Sequence, residues 1–277
     1  MAKWQGYLQD TNDLMQTVSV TGSYLGGHAI GIIAVDWLAP KMPGNVANAT
    51  TYSYPVLYKV IKLDNGIEQM FAGDPALEQR IVEAAKELER DGVRAIIGAC
   101  GYFAHYQKIV AAAVNVPVFL SSLCQLPIIK IGLKPDQKIL VMCADSDSFS
   151  QKFLDRVNGN MDDCVIQGVS VLDSFGGIRW NRLEMDNGKL TEDLAELARQ
   201  TVEAHPEVGA ILLECSDLPP YACAIQQATG LPVFDFITMI DWVEHAVVQK
   251  RYYGFFWEDK KERHLTKVRC RFYCVWI

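Results

Sequence analysis

One segment of this chain occurs twice. Ala95-Ile96-Ile97-Gly98-Ala99-Cys100 is echoed 115 residues later by Ala210-Ile211-Leu212-Leu213-Glu214-Cys215. Without a gap, the same offset pairs Tyr106 with Tyr221, Ala113 with Ala228 and Pro117-Val118-Phe119 with Pro232-Val233-Phe234. Each block reads as a buried strand, a cysteine, a helix and a second strand. The chain is therefore expected to fold as two structurally equivalent halves that each present a cysteine at the same place.

The rest of the sequence fits that reading. Short runs rich in Val, Ile and Leu at 29–36, 55–63, 93–98, 116–120, 138–143, 164–169, 209–213 and 231–234 read as strands. Longer segments at 75–90, 102–114, 121–131, 148–157, 190–204, 220–229 and 237–249 carry helical spacing. In 75–90, Asp74 caps, Pro75 suits the first turn, and Leu77, Ile81, Ala84, Ala85 and Leu88 share one face. Alternating apolar strands and helices imply an α/β fold with parallel sheets covered on both faces. The expected architecture is two similar Rossmann-like lobes related by a pseudo-twofold axis. Residues 28–131 with 235–249 form the first lobe and 132–234 the second. Residues 1–27 and 250–277 are terminal extensions, and 45–54 is a polar loop long enough to serve a function.

Composition narrows the function. Half of the 277 residues are apolar and the net charge is −7. Residues 250–277 hold eight Lys/Arg against three Asp/Glu, which leaves the rest of the chain at −12. An acidic body argues against nucleic acid as a partner, and the basic tail reads as a solvated terminus or a contact arm. No apolar stretch is long enough to span a bilayer and no secretory signal is apparent, so no membrane association and a cytoplasmic location are expected. Eight irregularly spaced cysteines fit reduced thiols. Cys124, Cys143 and Cys164 lie in apolar patterns typical of a core, and Cys223 lies within a helix. Cys270 and Cys274 have metal-ligand spacing but no second ligand pair. Assembly into a homo-oligomer is left open by the sequence.

The chemistry centres on Cys100 and Cys215. Ligands of open parallel sheets bind beyond the carboxyl ends of the strands. Both cysteines sit there, at or near a helix start whose free N–H groups favour a thiolate and bind carboxylates. Two thiols flanking one molecule suit a racemase: one removes a proton from one face of a carbon while the other returns a proton to the opposite face. That scheme needs no metal and no organic cofactor, only a small carboxylate substrate.

At these residues the sequence resembles the cofactor-independent aspartate/glutamate racemase superfamily, which includes glutamate, aspartate and hydantoin racemases, over roughly residues 28–249. The resemblance implies a two-lobed fold with paired catalytic cysteines at Cys100 and Cys215. Ile30-Gly31-Ile32-Ile33-Ala34-Val35-Asp36 and Pro43-Gly44-Asn45 resemble the family's first strand and substrate loop. Glutamate racemases carry Asn-Thr and Thr-His after the two cysteines; here Gly101-Tyr102 and Ser216-Asp217 follow, which points away from glutamate. Some relatives use one cysteine for decarboxylation or for cis–trans isomerisation of diacids.

Gly101, Tyr102, Ser216 and Asp217 are thus candidate substrate contacts, with Asp36, Asn48, Thr51 and Ser121. Asp217 could equally cap a helix, Asp36 a loop and Ser121 the helix after it; Asn48 and Thr51 could simply make turns. His105 and His28 read as structural. The expected activity is racemisation or epimerisation of an amino acid or related carboxylate, hence an isomerase. The alternatives are a one-thiol lyase or cis–trans isomerase of a small diacid, or a non-catalytic two-lobed binder.

Overall fold

The computed structural model describes residues 25–250 and 252–256. In the first half, β1 (Ile30–Val35), β2 (Val56–Ile61), β3 (Ala95–Gly98) and β4 (Val118–Phe119) alternate with α1 (Glu68–Ala72), α2 (Glu78–Arg90), α3 (Gln107–Ala113) and α4 (Leu126–Ile131). In the second, β5 (Lys138–Cys143), β6 (Cys164–Gly168), β7 (Val208–Leu213) and β8 (Val233–Phe234) alternate with α5 (Gln151–Leu154), α6 (Gly176–Arg179), α7 (Asn187–Ala204) and α8 (Ala222–Thr229). α9 (Phe236–Val247) closes the described chain.

The two sheets are fully parallel and share one topology, β2-β1-β3-β4 in one and β6-β5-β7-β8 in the other. The repeat extends to strand register. Ile96 lies beside Val118 and Ile97 beside Phe119, just as Ile211 lies beside Val233 and Leu212 beside Phe234. These are the same pairs shifted by 115. Two similar α/β lobes are therefore the architecture, as the duplicated segment implies.

Local chemistry explains the elements. Every residue of β7 is buried, so its alternation of faces is invisible in the sequence. α2 buries Ile81, Ala84, Ala85 and Leu88 on one stripe, and Asp74 accepts from the Ala76 N–H ahead of it. α9 starts on a capping box in which the Asp235 carboxylate accepts from Thr238 N–H and the Thr238 hydroxyl accepts from Asp235 N–H. Its Phe236, Met239, Ile240 and Val243 pack on Ile30, Ile32, Ala95 and Ile97, so this helix covers the first sheet although it follows the second in sequence.

The first duplicated segment differs from expectation directly after its cysteine, whereas in the second the helix lies where it was expected. Cys100 caps a six-residue 3₁₀ turn, Gly101–Tyr106, before α3 begins. Cys215 is followed by a turn and by the 3₁₀ segment Pro219–Tyr221 before α8. The two turns match: Phe103 N–H donates to Cys100 C=O, and Leu218 N–H to Cys215 C=O, both at 3.1 Å.

The halves are locked together where the cysteines lie. Ser216 Oγ donates to Ala99 C=O at 3.0 Å, and Ser122 Oγ donates to Leu213 C=O at 2.9 Å. Tyr102 reaches across to donate to Asp145 C=O at 2.6 Å and stacks on Phe153. Offset by 115, the counterpart of the Ser216–Ala99 contact is Gly101 against Glu214. There a Cβ on Gly101 would sit 1.9 Å from the Glu214 carboxylate. One side of the axis thus pairs Ser with Ala, the other Glu with Gly.

Candidate active site

The carboxyl ends of β1, β3, β5 and β7 meet at one cavity between the halves. Cys100, Gly101, Tyr102, Cys215, Ser216 and Asp217 all line it, so the structure brings together six of the sequence candidates. The other four lie outside that lining. Asp36 is exposed and its carboxylate accepts from Leu63 N–H, fastening the loop after β2. Asn48 caps the turn Ala49–Thr51 and donates to Lys41 C=O. Thr51 accepts from Gly44 N–H and donates to Asn45 C=O. Ser121 is fully buried and caps the 3₁₀ segment Ser122–Gln125. Asn48 and Thr51 act one step back: they shape the loop that carries Lys41, Asn45 and Ala47 into the cavity.

Several lining residues gave no sequence signal. Trp37, Phe71 and Phe175 add aromatic wall beside Tyr102, and Lys41 and Arg179 supply cationic groups. They come from three separate segments, the loop after β1, α1 and the stretch 175–179, with nothing in their spacing to join them. Glu214 is different: a carboxylate ending the apolar run 208–213 is an anomaly in the sequence itself, and it borders the cavity.

The two cationic side chains that line the cavity are already paired. Lys41 lies 3.6 Å from Asp217, which also accepts from Asn45 Nδ2 at 2.5 Å. Arg179 bonds Glu68 at 3.0 Å and stacks over Phe71 and Trp180. Glu214 is fully buried, and neither carboxylate oxygen has a hydrogen-bond partner among the described residues. The Ala144 N–H is near enough to favour its anion without completing a bond. Burial outweighs it, and with the negative charge of Asp145 it pushes the carboxyl up to about 8.

The thiols are buried as well, each 9 % exposed. The turn N–H groups do favour a thiolate: those of Tyr102 and Phe103 at Cys100, and that of Asp217 at Cys215. The expected net activation is nevertheless reversed. Burial comes first at both sites and pushes both thiols up, with Glu214 adding at Cys100 and Asp217 then Glu214 adding at Cys215. The Cys215 thiol donates to Asp217 Oδ2, 3.6 Å away, which fixes the direction of the sulfur while favouring its protonated form.

The remaining cysteines and histidines take structural places. Cys143 and Cys164 are buried, Cys124 is half-buried and Cys223 is exposed. The His105 ring packs on Phe153 and bonds Phe71 C=O, while His28 lies in the irregular stretch just before β1. Cys270, Cys274 and the basic tail beyond residue 256 lie outside the described residues. Among the described residues no helix is long and apolar enough to cross a membrane, and no cluster of three metal-ligating side chains occurs.

Comparison with known proteins places the fold and corrects the activity. The chain superposes on arylmalonate decarboxylase (TM-score 0.52, 15 % identity, 81 % of this chain and 94 % of that one). It also superposes on allantoin racemase from Pseudomonas fluorescens (TM-score 0.53, 16 % identity, 79 % and 90 %). It has the fold of the aspartate/glutamate/hydantoin racemase superfamily. No family model matches it. In sequence it is 28 % identical over 249 residues to a dimethylsulfoniopropionate lyase of Durusdinium sp. clade D, covering 87 % of this chain and 82 % of that protein. It is 33 % identical over 221 residues to dimethylsulfoniopropionate lyase 3 of Emiliania huxleyi, covering 76 % of this chain but only 57 % of the relative's length. The expectation of an amino-acid racemase, and of an isomerase, is overturned by these sequence relatives, which are lyases. Paired thiols on this fold do not by themselves specify racemisation.

Proposed function

We propose that the chain is a lyase that splits dimethylsulfoniopropionate, (CH3)2S+–CH2–CH2–COO−, into dimethyl sulfide and acrylate. The likeness to dimethylsulfoniopropionate lyases over 87 % of the chain carries this reading. The cavity suits the substrate at each point. Trp37, Phe71, Tyr102 and Phe175 give the cavity an aromatic lining, which suits a sulfonium because it has no N–H to donate and is attracted by aromatic quadrupoles. Lys41 and Arg179 meet the carboxylate, and their charge stabilises the electron density that builds there when the adjacent carbon loses its proton.

The reaction asks for one base. A thiolate takes a proton from the carbon next to the carboxylate, the C–H electrons form the C=C bond, and the C–S bond breaks with its pair going to sulfur. Dimethyl sulfide departs uncharged and needs no proton from an acid, whereas racemisation needs a donor on the second face. Cys215 is the base in this scheme: its thiolate takes the proton, Asp217 lies against the sulfur and positions it, and Asn45 and Lys41 hold Asp217 in place. Cys100 forms the facing wall.

Headspace chromatography for dimethyl sulfide and liquid chromatography for acrylate, on purified protein, test the reading. Dimethyl sulfide and acrylate should appear in equal amounts. Absence of dimethyl sulfide across pH 6–9, with turnover of some other carbon acid, would remove it.

A further inference from the structure

One ionisable group at the cavity stands without a partner. Lys41 has Asp217 and Arg179 has Glu68, but Glu214, fully buried at the cavity border, has no partner of either kind among the described residues. Leaving a carboxylate buried and unpaired is among the more costly arrangements a fold can hold. The chain also gives up a side chain to make room for it, since any Cβ at Gly101 would collide with the Glu214 oxygen. A group kept this way lacks a positive partner that the protein does not supply.

We propose that Glu214 is the counter-charge for the cationic group of the substrate and sets the enzyme's selectivity for onium acids over neutral ones. This deepens the lyase reading and rests on it for the identity of the cation. The aromatic residues of the same cavity hold the methyl groups, while the carboxylate supplies the net negative charge that rings lack. In the free protein the groups facing Glu214 are Cys100, Cys143, Cys215, Tyr102 and Asp145, none of them cationic. Its carboxyl therefore keeps a proton near neutral pH. When an onium group arrives the proton leaves to solvent, so binding a cation releases acid and binding a neutral isostere does not.

The test uses full-length protein and a ligand that cannot eliminate. Dimethylsulfonioacetate lacks the second methylene, and 3-methylbutanoate is its uncharged isostere. Calorimetry at pH 7 in buffers of different ionisation enthalpy should show the sulfonium bound at least tenfold more tightly, with close to one proton released. Glu214→Gln keeps the shape. It should bring the two affinities within about twofold and abolish the release. Equal wild-type affinities, or no proton release by the wild type, would overturn the proposal, and both are read on the wild type alone should the amide variant prove unstable. The two readings separate cleanly. Dimethyl sulfide production with no preference for the cation sinks the counter-charge alone. Cation preference with proton release but no dimethyl sulfide sinks the lyase and leaves the onium site.

Discussion

Single residues decide which thiol does the work. Cys100 and Cys215 are matched in position and burial, yet of the two only Cys215 donates a hydrogen bond to a carboxylate, that of Asp217. Elimination with an uncharged leaving group uses one base, so the two cysteines should respond unequally. Cys215→Ala should lower kcat for dimethyl sulfide release by roughly 10²–10⁴-fold, the range of a lost general base. Cys100→Ala should keep most of kcat and raise KM, because it enlarges the cavity without removing the base. Steady-state kinetics of both variants check this; equal and complete loss in both would return the second thiol to the chemistry.

At the level of elements, the loop after β1 carries the first half's contribution across to the second. Gly44 makes the crossing at φ +101°, a left-handed conformation, with its Cα face against the Pro220 backbone: an added Cβ would lie 2.9 Å from Pro220 Cα. Gly44→Ala should lift the loop, free Asp217 from Asn45 and Lys41, and cost about 1–3 kcal/mol of stability. A displacement near 1 Å at a catalytic group is enough to reduce kcat/KM on the order of 10²-fold, so activity should fall further than thermal stability does. The elements themselves were largely legible in the sequence. Buried parallel strands leave continuous apolar runs, and α2 and α7 are long enough to show a stripe. α1 and α6, at five and four residues, are shorter than two helical turns and leave no periodic signal. The 3₁₀ turn after Cys100 was hidden because its residues Tyr102, Phe103, Ala104 and Tyr106 are all buried and suit a helix equally well.

For the whole molecule, the buried carboxyl ties stability to pH. Glu214 titrates at about 8 in the folded chain against an ordinary value of 4.5. The folded state therefore holds a proton that the unfolded state releases. Stability should be greatest below about pH 4.5 as far as this group is concerned, and should fall as pH rises from there to about 8. Melting temperatures of wild type and Glu214→Gln, compared from pH 5 to 8, should show the wild type losing ground by a few kcal/mol; parallel curves would place the carboxyl in a wetter setting. The fold, the duplication and six cavity residues could be read from the sequence because they sit in or beside the repeat. Trp37, Phe71, Phe175 and Arg179 could not, since only the packing of separate segments makes them neighbours. The reaction could not be read either: a pair of matched thiols looks symmetric, and the asymmetry lies in what surrounds them.

That asymmetry has a consequence for how such a cleft arises. Where two copies of a segment meet on an axis, each contact occurs twice and each occurrence is free to drift alone. Here one occurrence holds small uncharged partners, Ser216 on Ala99, and the other holds Glu214 on Gly101. A slot built from like halves thereby has two unlike ends, and with Glu214 as the proposed counter-charge a zwitterion would enter it in one sense.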